Sequence, residues 1–215
     1  NSYYFPTSPG YDVSGSPLTT FFNLTGTTIN NNNINAIVDW WVLAPTNPIF
    51  TDATSNPYFG TIDTWDVSNV TDMSGLFQNK TSFNNSIENW NVSNVTNMSN
   101  MFKNATSFTN LLVLWNVSNV TNMSSIFRGN QFNGDISNWD VSNVTNMSYM
   151  FFDSKFNKDI SNWNVSNVTN MRGMFIGSQF KGDVYNWNVV NVNNAGGCIV
   201  VNNLIKWFEF QNRIY

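Results

Sequence analysis

Residues Phe132–Met147 read FNGDISNWDVSNVTNM, and the second half of that stretch, WDVSNVTNM from Trp139 to Met147, decides the fold because the chain repeats it. Trp65, Trp90, Trp115, Trp139, Trp163 and Trp187 open successive copies at spacings of 25, 25, 24, 24 and 24 residues. Periods of this length belong to architectures in which one small unit stacks on the next. Within each copy the apolar columns keep one order. Trp is followed by Val67/Val92/Val117/Val141/Val165, by Val70/Val95/Val120/Val144/Val168, and by Met73/Met98/Met123/Met147/Met171. Steps of two and three residues are too tight for a helix stripe and too irregular for an alternating strand. They predict short extended pieces separated by corners.

Next come Leu76/Met101/Ile126/Met150/Met174 and Phe77/Phe102/Phe127/Phe151/Phe175, so that Met-x-x-Met-Phe places apolar side chains three apart. A single tight helical turn would point both inward. A polar loop leads to a second aromatic column, Phe83/Phe108/Phe132/Phe156/Phe180, and to an aliphatic one, Ile87/Leu112/Ile136/Ile160/Val184. That last piece, GDISNW in the third copy, is the natural candidate for one strand per coil in a continuous parallel sheet. Coils would then lie ~4.8 Å apart. Stacking turns the polar columns into ladders of Ser68, Asn69 and Thr71 with their equivalents. An amide offers donors and acceptors, so asparagines can bond along a stack where aspartates would repel.

This accounts for an unusual composition: 41 asparagines, with charged residues at 10%. The net charge is −4 and the nine Lys and Arg are scattered, which gives nucleic-acid binding no basic patch to work with. There is no histidine, and Cys198 is the only cysteine. Histidine-assisted nucleophiles, Cys/His zinc sites and internal disulfides are thereby excluded, and no cofactor is expected. Cys198 takes a Met column in the decayed last copy and reads as an inert core thiol. No apolar run is long enough to span a bilayer. The first residue is asparagine, so the sequence reads as a processed product or a fragment.

The periodicity divides the chain into an N-terminal arm or linker (1–29), a capping helix with a half-repeat (30–64), five tandem repeats (65–186), and a degenerate repeat with a C-terminal cap (187–215). In the second segment Asn33 can serve as N-cap, Ile34, Ile37, Val38 and Trp41 share one helix face, and Pro45 and Pro48 end it. Tyr58 and Ile62 fill the Phe and Ile columns of the half-repeat.

The strings WDVSNVTDMSGLF (Trp65–Phe77) and FNGDISNWDVSNVTNM resemble the BspA-like leucine-rich-repeat surface proteins, known from bacteria, mycoplasmas, protists and large DNA viruses. NINAIVDWWV (Asn33–Val42), followed by FGTIDTWDVS (Phe59–Ser68), is similar to the segment that often precedes the first unit in that family. The resemblance covers about residues 30–190. It implies surface exposure with adhesion or partner binding, and it brings no catalytic residues. Repeats and resemblance together give the expected fold class: a repeat solenoid, a leucine-rich-repeat-like right-handed coil with one short parallel strand per repeat and an N-terminal capping helix.

Candidate sites are few. Asp135, Asp159 and Asp183 occupy one position of three consecutive copies, a row of carboxylates that could hold calcium or merely bond to turns. Fifteen N-x-S/T sequons occur, most of them inside the ladders. Asn23, Asn79, Asn84 and Asn104 lie outside and are the better glycan acceptors. The aromatic tail around Trp207, Phe208 and Phe210 either covers the last coil or meets a partner. Copies differ most in the loops after the first Phe column, KNATS, RGNQ, FDSK and IGSQ. The expected role is a non-enzymatic scaffold exposed on a cell or virion surface, binding a host or neighbouring-cell protein. The alternative is a minor subunit of a capsid or extracellular filament, packing through its ends and N-terminal arm.

Overall fold

Each copy opens with a bend made by its own side chains. Asp66 Oδ1 accepts the Ser68 amide at 3.0 Å, and Asp140 Oδ1 accepts that of Ser142 at the same distance. The Val70 amide then reaches back to the Val67 carbonyl at 2.9 Å. Acceptors on short side chains favour such turns over extended backbone. The chain therefore changes direction every two or three residues, and Trp65, Val67, Val70 and Met73 all reach the interior despite their uneven spacing.

The computed structural model describes residues 28–43 and 61–197. From Met73 to Lys80 the backbone is a run of overlapping turns rather than the single helical turn expected. Leu76, Gln78 and Lys80 donate to the carbonyls of Met73, Gly75 and Phe77. The alternate amides point the other way. Met73, Gly75, Phe77 and Asn79 donate to Asn97, Ser99, Met101 and Lys103 of the next coil at 2.8 to 2.9 Å. The pattern recurs coil after coil, and it requires a left-handed residue at two places in each. These are Gly75 and Asn79 (φ 66° and 60°), then Asn100 and Asn104, Ser125 and Gly129, Tyr149 and Asp153, Gly173 and Gly177. Glycine and asparagine dominate because they adopt positive φ at least cost.

The expected fold class is corrected here. Among the described residues there is one α-helix, α1 (Ile34–Leu43), one 3-10 turn (Ile62–Thr64), and no strand. Parallel pairing shrinks to isolated bridges linking Asp72, Asn97, Asn122, Asn146, Asn170 and Asn194 in succession. The chain is thus a stack of turns, without the leucine-rich-repeat-like strand per repeat, and α1 caps no parallel sheet. The reason lies in the GDISNW stretch, where the strand was expected. Asp135 Oδ1 takes the Ser137 amide at 2.9 Å and the Trp139 amide bonds to the Ile136 carbonyl at 3.1 Å. A segment that closes two turns on itself has few amides left for a neighbour.

The aromatic columns supply the core. Phe77, Phe102, Phe127, Phe151 and Phe175 stack with centroids 5.4 to 5.9 Å apart, and the second Phe column runs beside them at 5.7 to 6.4 Å. Within a coil the two columns touch, as Phe77 and Phe83 do at 4.0 Å. Pairs of this kind add ~0.5–1.5 kcal/mol each beyond the area they bury. From Trp90 to Trp187 each repeat indole donates to the carbonyl of an earlier copy's aliphatic column, Trp115 Nε1 to Ile87 at 3.0 Å and Trp163 Nε1 to Ile136 at 3.1 Å among them. The asparagine ladder is also built differently from expectation. Asn94, Asn119, Asn143, Asn167 and Asn191 donate to the serine carbonyl of the preceding coil, amide to backbone.

Helix α1 lies on the first coil through Ile34, Ile37, Val38 and Trp41, all buried. Trp41 meets Trp65 and Phe83 edge-on, each at 6.3 Å. Lys80 pairs with Asp39 on the same helix. The Asn33 carbonyl accepts the Ile37 amide, as an N-cap residue does, while its side chain turns back to accept the Asn30 amide. Ahead of the helix, Asn31 Oδ1 accepts the amides of Thr71 and Asp72 at 2.8 and 3.1 Å. In later coils a threonine carbonyl holds that place: Thr96 and Asn97 both donate to Thr71 O. Asn31 therefore supplies from its side chain what a preceding coil would supply from its backbone. Pro45, Pro48, Tyr58 and Cys198 lie outside the described residues.

Candidate interaction face

The Met–Phe run buries Leu76, Phe77 and their equivalents and leaves the residue after each Phe partly exposed. Its outer face carries the column after the Phe, Gln78/Lys103/Arg128/Phe152/Ile176, beside the left-handed column, in which Gly75, Asn100 and Tyr149 are partly exposed. Here the repeat stops being uniform. In the fourth coil the left-handed position holds Tyr149, φ 55°, where other coils have Gly, Asn or Ser. A bulky residue in this conformation is uncommon. Its ring lies over the next coil, where a Cβ on Gly173 would come within 2.6 Å of it. Gly173 leaves the space that the ring takes.

Two arginines converge on that ring. The Arg128 guanidinium carbon sits 5.4 Å from the centroid of Tyr149 and 4.6 Å from that of Phe152, and that of Arg172, in the following coil, sits 6.0 Å from Tyr149. Tyr149 and Phe152 meet edge-on at 5.8 Å. Cation–aromatic contact of this kind holds a guanidinium flat without neutralising it. No carboxylate of the described residues comes within ion-pair distance of Lys103, Arg128 or Arg172. Lys103, Arg128 and Phe152 fall in the loops flagged by their variability. Tyr149 and Arg172 do not, because their meeting depends on how coils stack.

The aspartate row sits on another face. Asp135 Oδ1 and Asp159 Oδ1 accept the amides of Ser137 and Ser161 at 2.9 Å, and Asp183 Oδ1 that of Tyr185 at 2.8 Å. Backbone bonding from Ser137 and Ser161, helped by the serine hydroxyls, holds the Asp135 and Asp159 carboxyls below the usual range. Asp159 and Asp183 line an open surface depression with Asn157, Lys158, Gly182 and Asn186, so a cation already stands among them. Among the described residues no three acidic, His or Cys side chains gather as metal ligands do. The row forms a series of turn acceptors.

Of the sequon asparagines, Asn79 and Asn104 are exposed, left-handed and bonded to each other, Asn104 Nδ2 to Asn79 Oδ1 at 3.0 Å. Asn84 Oδ1 accepts from the Thr109 amide at 3.0 Å and from Asn110 Nδ2 at 2.9 Å. Asn23, Trp207, Phe208 and Phe210 lie outside the described residues. The repeat Trp residues are buried, with Trp65 3% and Trp139 3% exposed, which leaves no sugar-stacking platform in that column. In the second coil, LLVL (Leu111–Leu114) replaces the usual polar turn and exposes Leu111 and Leu114. Among the described residues no helix is long and apolar enough to cross a membrane.

One family matches, described as "Mycoplasma protein of unknown function, DUF285", over residues 44–131 and again over residues 111–205. No curated protein and no solved structure matches the chain.

Proposed function

Since the chain belongs to the DUF285 family of mycoplasma proteins of unknown function, we propose that it is a non-enzymatic scaffold that works at a cell or virion surface by presenting its side face to a protein partner. The carrying observation is the division of labour in each coil. Trp, Val, Met and Phe are consumed by the core, and Asn, Ser, Thr and the aspartates at turn positions by hydrogen bonds between or within coils. The outer face of the Met–Phe run is left to vary. Stacked repeats offer an extended surface without a cleft. The absence of histidine and the commitment of the aspartate row to turns support a role without catalysis. The resemblance to BspA-like surface proteins supports the placement.

The test is adhesion. Beads coated with the chain should bind target cells. A variant that carries serine at positions 128, 149, 152 and 172 should lose that binding while keeping its melting temperature. One with serine at Leu111 and Leu114, on a different face, should keep it. Equal adhesion by all three proteins, or adhesion by none, would refute the scaffold reading.

A further inference from the structure

The chain as a whole is acidic, with a net charge of −4, yet the face around Tyr149 carries Lys103, Arg128 and Arg172 against a single acid, Asp153. Arg128 and Arg172, from the coils before and after, both pack against one phenol ring, and neither guanidinium has a carboxylate among the described residues. A guanidinium packed on an aromatic ring keeps its N–H fork free at the edge, and that fork matches a carboxylate in two parallel bonds. Arg128 and Arg172 come from coils two steps apart yet lie 5.4 and 6.0 Å from the same ring centroid, close enough for one short segment to reach both. Two acidic side chains two or three residues apart on an extended peptide span about 7 to 10 Å.

We infer, on the basis of the scaffold reading, that this stripe receives a short acidic polypeptide segment of the partner protein, its carboxylates seated on Arg128 and Arg172 with Lys103 extending the contact. Charge complementarity selects the occupant. A dense polyanion such as a sulfated glycan needs many neutralising cations to offset the repulsion of an acidic chain, and three do not supply them. A peptide with two or three carboxylates asks for no more than the stripe offers. The fixed aromatic bed limits the entropy lost when the arginines engage.

The experiment uses the full chain and a fluorescent Ser-rich peptide of about ten residues that carries three Glu at every second position of its centre. A Gln-for-Glu peptide and a sulfated oligosaccharide serve as parallel probes, all read by anisotropy. The Glu peptide should bind and the Gln peptide should not. Arg128→Gln combined with Arg172→Gln should weaken binding at least about tenfold, as should salt raised to about 0.5 M. Melting should be unchanged, and Lys181→Gln, away from the stripe, should have no effect. The inference is overturned if the Glu peptide fails to bind, if binding ignores the double substitution, or if only the sulfated oligosaccharide binds. Failure here with face-dependent bead adhesion intact removes the acidic partner and leaves the scaffold. Failure of both removes the scaffold as well.

Discussion

Replacing Asn31 by alanine isolates the device that closes the first coil. The side chain makes three bonds there: Oδ1 with the Thr71 and Asp72 amides, and Nδ2 with Thr71 Oγ1 at 2.7 Å. A net protein hydrogen bond is worth about 0.5–1.5 kcal/mol, and water can reach these exposed groups in the variant. Each bond therefore falls toward the lower end, and the loss expected from Asn31→Ala is about 1–2 kcal/mol. Stability in stacked repeats is nearly a sum of local terms, so the damage should stay near the end. Denaturant unfolding gives the total, and hydrogen exchange gives the location. The amides of Thr71 and Asp72 should exchange faster, while those of Thr145 and Asn146, which bond to Thr121, should not. Asn31→Asp keeps the acceptor but sets a negative charge beside Asp72, so it should be less stable at neutral pH than near pH 3, relative to wild type. Unchanged exchange at Thr71 and Asp72 in Asn31→Ala would refute the claim that a side-chain amide takes the part that a threonine carbonyl plays in later coils.

Gly177→Ala should cost about 1–3 kcal/mol in denaturant unfolding, because φ is +67° and the new Cβ would lie 1.9 Å from Asp153 Oδ1. Trp139→Phe should cost about 2–3 kcal/mol, measured the same way, by leaving the Leu112 carbonyl without the indole N–H it accepts at 3.2 Å. Bonds to Ser68 and Ser142 lower the Asp66 and Asp140 carboxyls from 3.8. Their stabilisation is therefore complete above the unfolded value and lost as pH falls through the lower folded one. Asp66→Asn with Asp140→Asn, which copies Asn91 and Asn116, should flatten that acid loss in a pH series of melting curves and bring neutral stability down toward the acid level of the wild type. Tyr149→Asn should stay within about 1 kcal/mol of wild type in denaturant, since Asn100 already holds φ 57° in the same column.

The core was legible because burial acts on side chains, and side chains are what a repeat displays. Trp65, Val67, Val70, Met73 and Phe77 recur and are all buried. The backbone pairing was not legible, because two segments of each copy could have supplied it. GDISNW has the β-branched residue and the length of a strand, but Asp135 bends it into turns. The pairing runs instead through MSxMFxN, whose residues look helical. A signal was present. Gly75, Asn100 and Gly173 share a column, as do Asn79, Asn104, Gly129 and Gly177, and an exchange of glycine with asparagine marks positive φ. The Asp135 row left two readings open, a cation or turn bonds, and the bonds the structure draws are those to Ser137, Ser161 and Tyr185. Arg128 and Arg172 could be connected through Tyr149 only after the coils were stacked, since the three lie in three different copies.

Tyr149 concentrates what makes this chain more than a regular stack. A column that elsewhere takes glycine, asparagine or serine tolerates tyrosine at a backbone cost of about 1–3 kcal/mol, and packing recovers part of that through Gly173 and Phe152. If packing were the whole purpose, a glycine or asparagine would reach the same stability with no strain. Tyrosine adds a broad ring at a point where arginines from the coils before and after converge on it. Strain kept beside two cations without carboxylate partners among the described residues is the pattern of a surface shaped for contact. The uniform columns make such a departure readable, because they state what the same position holds when nothing but stacking is required of it.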